Sequence, residues 1–312
     1  MQAVLAVTFP FFALVLAGWL AARSGRVHAS TIPGLNSFVL FFALPCMLFR
    51  FGRDTPLQQL VSPSLLGVYA LAALGLVALG WGVAVLLGVG RKDAAFGALV
   101  AAFPNSGFMG VPLLLALLGQ GAMGPVICTL LVDLFLTSSL CLALSQAGEP
   151  GGNGLRAFGQ ALRAVLGNPM PWGIALGAAL GASGWHLPGP VDKVIDLLGQ
   201  AASPVALFTI GAVLFVSGRQ AGGGRPQVDE WLIALAKLAL HPALVYGLGL
   251  LAGVAPAPLA ALTLTAALPS ASNVALLTER HAANTGRVAR IIMITTALSF
   301  LSFSGLAAWL MP

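Results

Sequence analysis

Charge is almost missing from this sequence. Its 312 residues include 15 Lys and Arg and 9 Asp and Glu, whereas 58% are hydrophobic and the mean hydropathy is +0.96. So little charge excludes an ordinary soluble domain, and the long apolar runs point to membrane-spanning helices. The net charge of +6 is scattered between those runs and not gathered on one face, which argues against nucleic acid as a partner. Cysteine is scarce as well. Cys46, Cys128 and Cys141 each sit in an apolar run. Their spacing fits neither a disulfide framework nor a metal site, so they read as small packing residues. There is no His-Glu-x-x-His motif, no Ser-His-Asp set and no cofactor fingerprint, so we expect no enzyme, no cofactor and no metal. No basic residue precedes Arg23, and the first apolar run is too long for a signal peptide. It reads as the first span.

What is abundant is apolar sequence in lengths of roughly 20 residues, enough to cross a bilayer. Ten spans are expected, near 3–22, 30–50, 64–89, 94–118, 122–146, 169–185, 191–217, 229–253, 257–279 and 287–311. The lipid bilayer is thus the first partner. Charge sets the orientation. Odd-numbered loops carry Arg23, Arg26, Arg91, Lys92, Arg156, Arg163, Arg219, Arg225, Arg280, Arg287 and Arg290, and even-numbered loops only Arg50, Arg53 and Lys193. The positive-inside rule then makes the odd loops cytoplasmic and both termini extracytoplasmic, in a cell (inner) membrane. The segment 147–168 between the fifth and sixth spans is a cytoplasmic linker. Its "GLRAFGQALRAVLG" is either an amphipathic helix with Arg156 and Arg163 toward headgroups or plain connection.

The two halves, 1–146 and 169–312, resemble each other. A shift of 159 residues pairs Pro10 with Pro169, Pro45 with Pro204, Gly18 with Gly177 and Leu48-Phe49 with Leu207-Phe208. After the loop near residue 220 the shift becomes 165, which pairs Pro104 with Pro269 and Phe135-Leu136 with Phe300-Leu301. Each half has an odd number of spans, so the second is inserted upside down. Inverted repeats of this kind recur in secondary transporters.

Spans four and nine carry residues that break helices. In "AAFPNSGFMGVPLLLALLG", Pro104 frees the Val100 carbonyl and Pro112 that of Phe108, while Gly107 and Gly110 let the backbone leave helical geometry. In "AALPSASNVALL", Pro269 frees the Thr265 carbonyl, and Ser270, Ser272 and Asn273 follow. Unpaired backbone in hydrocarbon costs several kcal/mol per group, so such breaks lie inside protein or line a cavity. Matching breaks in two halves point to one midplane site. A half-helix that starts there offers free N–H groups and about half a positive charge to an anion. Asn105, Ser106 and Gly107 from one half and Ser270, Ser272 and Asn273 from the other are the candidate substrate-binding residues. Kinks that serve packing alone are the plainer account of each break taken singly.

These stretches resemble the auxin efflux carrier family, a branch of the bile/arsenite/riboflavin transporter superfamily that includes plant PIN auxin exporters and bacterial malonate-type permeases. "FPNSGFMGVPLLLALLG" is similar to the family's fourth-helix stretch, "LPSASNVALLTERHAANTGRVARIIMITTALSFLS" to its ninth and tenth helices, and "GNPMPWGIALGAALG" to the start of its sixth. The resemblance implies an all-α, NhaA/PIN-like fold of ten helices, with helices four and nine broken and crossing. Spans one, two, six and seven would form a scaffold, and spans three to five and eight to ten a transport domain. It further implies organic-anion transport by an elevator-type cycle, commonly in a homodimer. The long cytosolic loop of the plant proteins is absent.

Three ionisable residues fall within spans: Asp133 in the fifth, Lys237 and His241 in the eighth. Such a charge at the bilayer centre costs about 2.5–3.5 kcal/mol even on lenient scales, so each needs a reason. Asp133 is either a buried tie between helices or a carboxylate that couples transport to a proton or sodium. Lys237 is its counter-charge or snorkels to an interface, and His241 is a packing residue or a relay. A cation/proton antiporter is the competing function. It requires midplane carboxylates, and the breaks have none. A ligand sensor on the same fold would carry a signalling domain, for which the chain has no room.

Overall fold

A computed structural model describes residues 2–56, 60–147, 154–220 and 227–311. Arg225 and the part of the linker at 148–153 lie outside the described residues. Among the described residues the protein is all helix, in the order α1 (Gln2–Arg23), α2 (Ile32–Phe38), α3 (Leu44–Asp54), α4 (Pro63–Leu86), α5 (Arg91–Ala102), α6 (Val111–Leu118), α7 (Met123–Val132), α8 (Ser138–Ala147), α9 (Gly154–Leu166), α10 (Pro169–Ser183), α11 (Gly189–Gln220), α12 (Val228–Leu235), α13 (His241–Leu251), α14 (Pro256–Ala266), α15 (Asn273–Arg280) and α16 (Thr285–Leu310). Single π-helical turns join α2 to α3 (Val39–Ala43), α7 to α8 (Asp133–Thr137) and α12 to α13 (Ala236–Leu240), and a fourth leads into α6 (Ser106–Gly110). Such turns are rare and gather at functional sites.

Among the described residues, seven helical stretches are long and apolar enough to cross a membrane: Val4–Arg23, Ala29–Asp54, Pro63–Leu86, Gln120–Gln146, Gly189–Arg219, Val228–Leu251 and Thr285–Leu310. The protein is a polytopic membrane protein. The expected spans near 94–118, 169–185 and 257–279 are not among the seven. Helix α10 has only 15 residues, and in the other two the helix stops, α5 at Ala102 and α14 at Ala266. The outer surface is apolar, with Phe9, Leu71, Leu79, Leu176 and Trp309 exposed. The linker forms a helix: α9 covers "GLRAFGQALRAVL".

Backbone contact between helices depends on glycine at two crossings. Helix α1 packs on α11, and α3 on α10. A side chain on Gly18 would meet the carbonyl of Phe208, and one on Gly211 that of Val15. At the second crossing, Gly177 faces the Phe49 carbonyl and Gly52 that of Ile174. Ion pairs close one end of this helix set: Arg50 with Asp196 at 2.5 Å, and Arg53 with Asp192.

The remaining long helices are tied through charged residues at their starts. Arg287 donates to Asp229 at 2.7 Å and to the Asp93 carbonyl at 2.8 Å, and the Arg290 guanidinium grips both oxygens of the fully buried Glu230. The starts of α5, α12 and α16 are thereby joined.

Candidate functional site

The two interrupted helices meet. Proline at 104 has no N–H and crowds the preceding turn, so Phe103 adopts an extended conformation and α5 ends. The same chemistry ends α14 ahead of Pro269. Residues 103–105 and 269–271 then lie antiparallel. The Asn105 N–H donates to the Pro269 carbonyl at 2.8 Å, and the Ala271 N–H to the Phe103 carbonyl at 3.0 Å. The backbone that each break exposes is satisfied by the other.

The orphaned carbonyls are satisfied by side chains. Ser270 Oγ donates to the Val100 carbonyl at 2.7 Å, the very group that Pro104 leaves without its helical partner. The Ser270 N–H in turn donates to Thr295 Oγ1 at 3.3 Å. Lys237 Nζ donates to the Ala266 carbonyl, the last of α14, at 2.8 Å. Ser270 is therefore occupied as a clamp between the two interrupted helices. Pro112 opens no second gap. It sits in the first turn of α6, where a missing N–H is tolerated, and helix runs from Ser106 to Leu118 through the π-turn. Gly110 packs against Leu268: a Cβ there would stand 2.7 Å from Leu268 Cδ1 and displace the tip of that side chain.

Two cavities adjoin the crossing. A small one, of about 20 Å³, is lined by Pro104, Asn105, Gly107, Ala271 and Asn273 among apolar neighbours. A larger one, of about 220 Å³, is lined by Asn36, Ser217, Ser272, Asn273, Glu279 and Thr285 with Ile32, Leu40, Phe108 and Val216. Asn273, Leu40 and Phe108 border both cavities. The Asn273 amide oxygen is buried without a partner. Asn105 and Ser106 are buried at 3% and 1% exposure. The sequence candidates Asn105, Gly107, Ser272 and Asn273 thus share this region, while Asn36, Ser217 and Thr285 were missed. Those three lie on other helices and have no local motif to mark them.

Asp133, Lys237 and His241 are fully buried and stand together. Tyr69 Oη donates to both oxygens of Asp133, at 3.1 and 3.0 Å, and Thr137 Oγ1 reaches one of them at 3.3 Å. The Tyr69 ring lies 5.5 Å from the His241 ring, and Lys237 Nζ is 3.0 Å from His241 Nδ1. Lys237 does not snorkel; its ammonium is directed at protein groups. Tyr69 escaped the sequence reading, although a tyrosine within the apolar run of α4 is a signal in a chain that has only two. No cluster of metal ligands is found among the described residues.

The sequence pattern of a known family, described as membrane transport protein, matches residues 3–153 and 155–307. A protein of Rhizobium meliloti named "Putative malonate transporter" is 29% identical over 98% of this chain and 95% of its own length. An "Uncharacterized transporter" of Methanothermobacter thermautotrophicus is 26% identical over 93% of this chain and 92% of its own. The "Uncharacterized transporter YfdV" of Escherichia coli K12 is 24% identical over 66% of this chain and 67% of its own.

Proposed function

The chain belongs to the membrane transport protein family, that of the auxin efflux carriers, and from there we propose that it is a secondary transporter of a small organic anion, bound at the crossing of two broken helices. The observation that carries this reading is the pairing of 103–105 with 269–271, which brings Asn105 and Asn273 to one cavity wall. Helical backbone restarts at Ser106 and at Asn273. Both starts turn a partial positive charge toward this region, and the two amides supply donors. A carboxylate there gains charge-assisted hydrogen bonds of about 1.5–3 kcal/mol each.

The fold reading that goes with it is ten spans in two inverted repeats, the fourth and ninth crossing as half-helices. The glycine crossings support it: adding 159 to Gly18, Val15, Phe49 and Gly52 gives Gly177, Ile174, Phe208 and Gly211, so each close contact has its mate in the other half. Spans one, two, six and seven would be the scaffold. The other six, closed at one end by the Arg287 and Arg290 pairs, would move across it as the transport domain. In that elevator-type cycle the larger cavity is the substrate's way in on the cytoplasmic side. The protein would work as a homodimer in the inner membrane.

A cation/proton antiporter is disfavoured because, among the described residues, no carboxylate lines the small cavity. The relative's printed name makes malonate the first ligand to try. Purified protein should bind malonate or a related carboxylate in calorimetry, and Asn105→Ala should weaken that binding by about tenfold, or about 1.4 kcal/mol. Undiminished affinity in this variant would remove the substrate from the crossing.

A further inference from the structure

Four helix ends converge at the crossing, and two have the wrong sign for an anion. Helices α5 and α14 finish there, each presenting the partial negative charge of its last carbonyls. The end of α5 is answered by a neutral hydroxyl, Ser270 Oγ on Val100. The end of α14 is answered by a basic side chain, Lys237 Nζ on Ala266. Among the described residues lining the two cavities, none is Lys or Arg. Among the described residues, Lys237 is the cationic side chain that hydrogen-bonds a helix end at the crossing.

Lys237 does not act alone. When Lys237 is an ammonium it only donates, and the 3.0 Å contact then requires His241 Nδ1 to accept and a neutral imidazole to carry its proton on Nε2. That Nε2 is buried and unpartnered. Beyond the imidazole lie Tyr69 and, held by its hydroxyl, the Asp133 carboxylate. With Asp133 ionised and Lys237 protonated the group is neutral overall, as a fully buried cluster must nearly be. An arriving carboxylate upsets that balance by one negative charge.

We propose that the Tyr69–Asp133–His241–Lys237 cluster is a proton site linked to the crossing. Asp133 takes one proton from water as the anion binds, and Lys237, a positioning residue, passes the resulting positive charge to the anion through the carbonyl end of α14. The O–H bond that forms on Asp133 replaces one broken in a solvent hydronium ion, which is left as water. The cluster together with its anion is then neutral both empty (Asp133 ionised) and loaded with a monocarboxylate (Asp133 protonated, anion bound), whereas malonate, a dianion near neutral pH, leaves one negative charge. The proton and the anion are released together. This rests on the crossing being the anion site.

Of the other titratable groups on the elements that pack here, Glu279, on α15 with Arg280, lines the larger cavity, and the Asp133→Asn variant below distinguishes it from Asp133; the others lie elsewhere. Asp93, Asp229, Glu230, Arg287 and Arg290 are engaged with one another at helix starts, beside Arg91 and Lys92. Arg156 and Arg163 belong to the linker helix α9. Tyr246 packs on Trp309, and the Cys128 thiol donates to the Leu60 carbonyl.

The experiment is calorimetric titration of malonate into the purified protein between pH 5.5 and 8.5, in buffers of different ionisation enthalpy, which counts protons taken up. The wild type should take up about one proton per malonate bound at the high end and lose affinity as pH rises, by tenfold per unit above the midpoint. Asp133→Asn should abolish the uptake and hold affinity at the low-pH value throughout. Lys237→Met should weaken binding at least tenfold at every pH. Tyr69→Phe, a gentler change that keeps the ring, should shift the midpoint to higher pH, because the ionised carboxylate loses a hydrogen bond. Proton uptake that persists in Asp133→Asn, or pH-independent binding in the wild type, overturns the proposal alone. Sodium-dependent binding without proton uptake overturns it in favour of a metal cation. Failure of the wild type to bind any carboxylate overturns both this and the transport reading beneath it.

Discussion

Replacing Asn273 by alanine should separate stability from binding. Among the described residues the Asn273 amide oxygen is buried and has no hydrogen-bond partner. A buried acceptor left unpaired costs about 1–3 kcal/mol, so deleting it removes a penalty along with the side chain. Alanine is also the better helix former, and position 273 opens α15. The empty variant should therefore unfold at a temperature no lower than the wild type. Binding should behave oppositely, losing an amide contact and about tenfold in affinity. Thermal unfolding with and without malonate reads both effects. At a malonate concentration one hundred times the wild-type Kd, ligand stabilises the wild type by about 2.7 kcal/mol, and a tenfold weaker variant by about 1.4 kcal/mol. The ligand-induced shift should thus be roughly halved while the ligand-free transition stays or rises. A full ligand-induced shift in the variant would show that Asn273 does not touch the substrate. A lowered ligand-free transition would show that its oxygen is satisfied and that the side chain serves packing.

Ser270→Ala should lower stability by about 1–3 kcal/mol, since it leaves the Val100 carbonyl buried and unpaired; denaturation of the purified variant in matched detergent measures it, and an unchanged transition would deny Ser270 its clamp role. Gly18→Val and Gly177→Val should both destabilise strongly and to similar extents, because each would drive a Cβ into a facing carbonyl, whereas Gly75→Val, with open space around it, should be neutral. Unequal penalties at the first two would count against the repeat. For topology, single cysteines at positions 90 and 282, in a background without Cys46, Cys128 and Cys141, should be labelled only from the cytoplasmic side, and those at 121 and 256 only from outside; the reverse pattern would invert the orientation drawn from the arginines.

The architecture was legible where it rests on covalent rules. Proline lacks an N–H, so Pro104 and Pro269 announced the ends of α5 and α14 before any contact was known. The pairing partner was not legible. Nothing local in "LPSAS" says that Ser270 serves a carbonyl 170 residues away. Pro112 was over-read for the opposite reason: the π-turn before it absorbs the disruption, and such turns depend on tertiary packing. Asp133, Lys237 and His241 stood out because charge in hydrocarbon is costly, while Tyr69, apolar over most of its surface, was hidden among its neighbours. The cavity-lining Asn36, Ser217 and Thr285 come from three separate helices, and sequence order does not bring them together.

The strand-like pairing of 103–105 with 269–271 bears on how the protein is made. When the chain up to α8 enters the membrane, the Phe103 and Val100 carbonyls have no partner, because the groups that serve them, the Ala271 N–H and the Ser270 hydroxyl, are not yet synthesised. At cellular elongation rates the wait is on the order of 10–30 s. Through that interval the half-built protein holds an open polar seam that lipid cannot satisfy. The seam must stay hydrated, or sheltered by the insertion machinery, until the second half arrives to close it. Neither half is thus a finished folding unit, and a chain cut in the linker after residue 147 should yield stable protein only when both pieces are made in the same membrane.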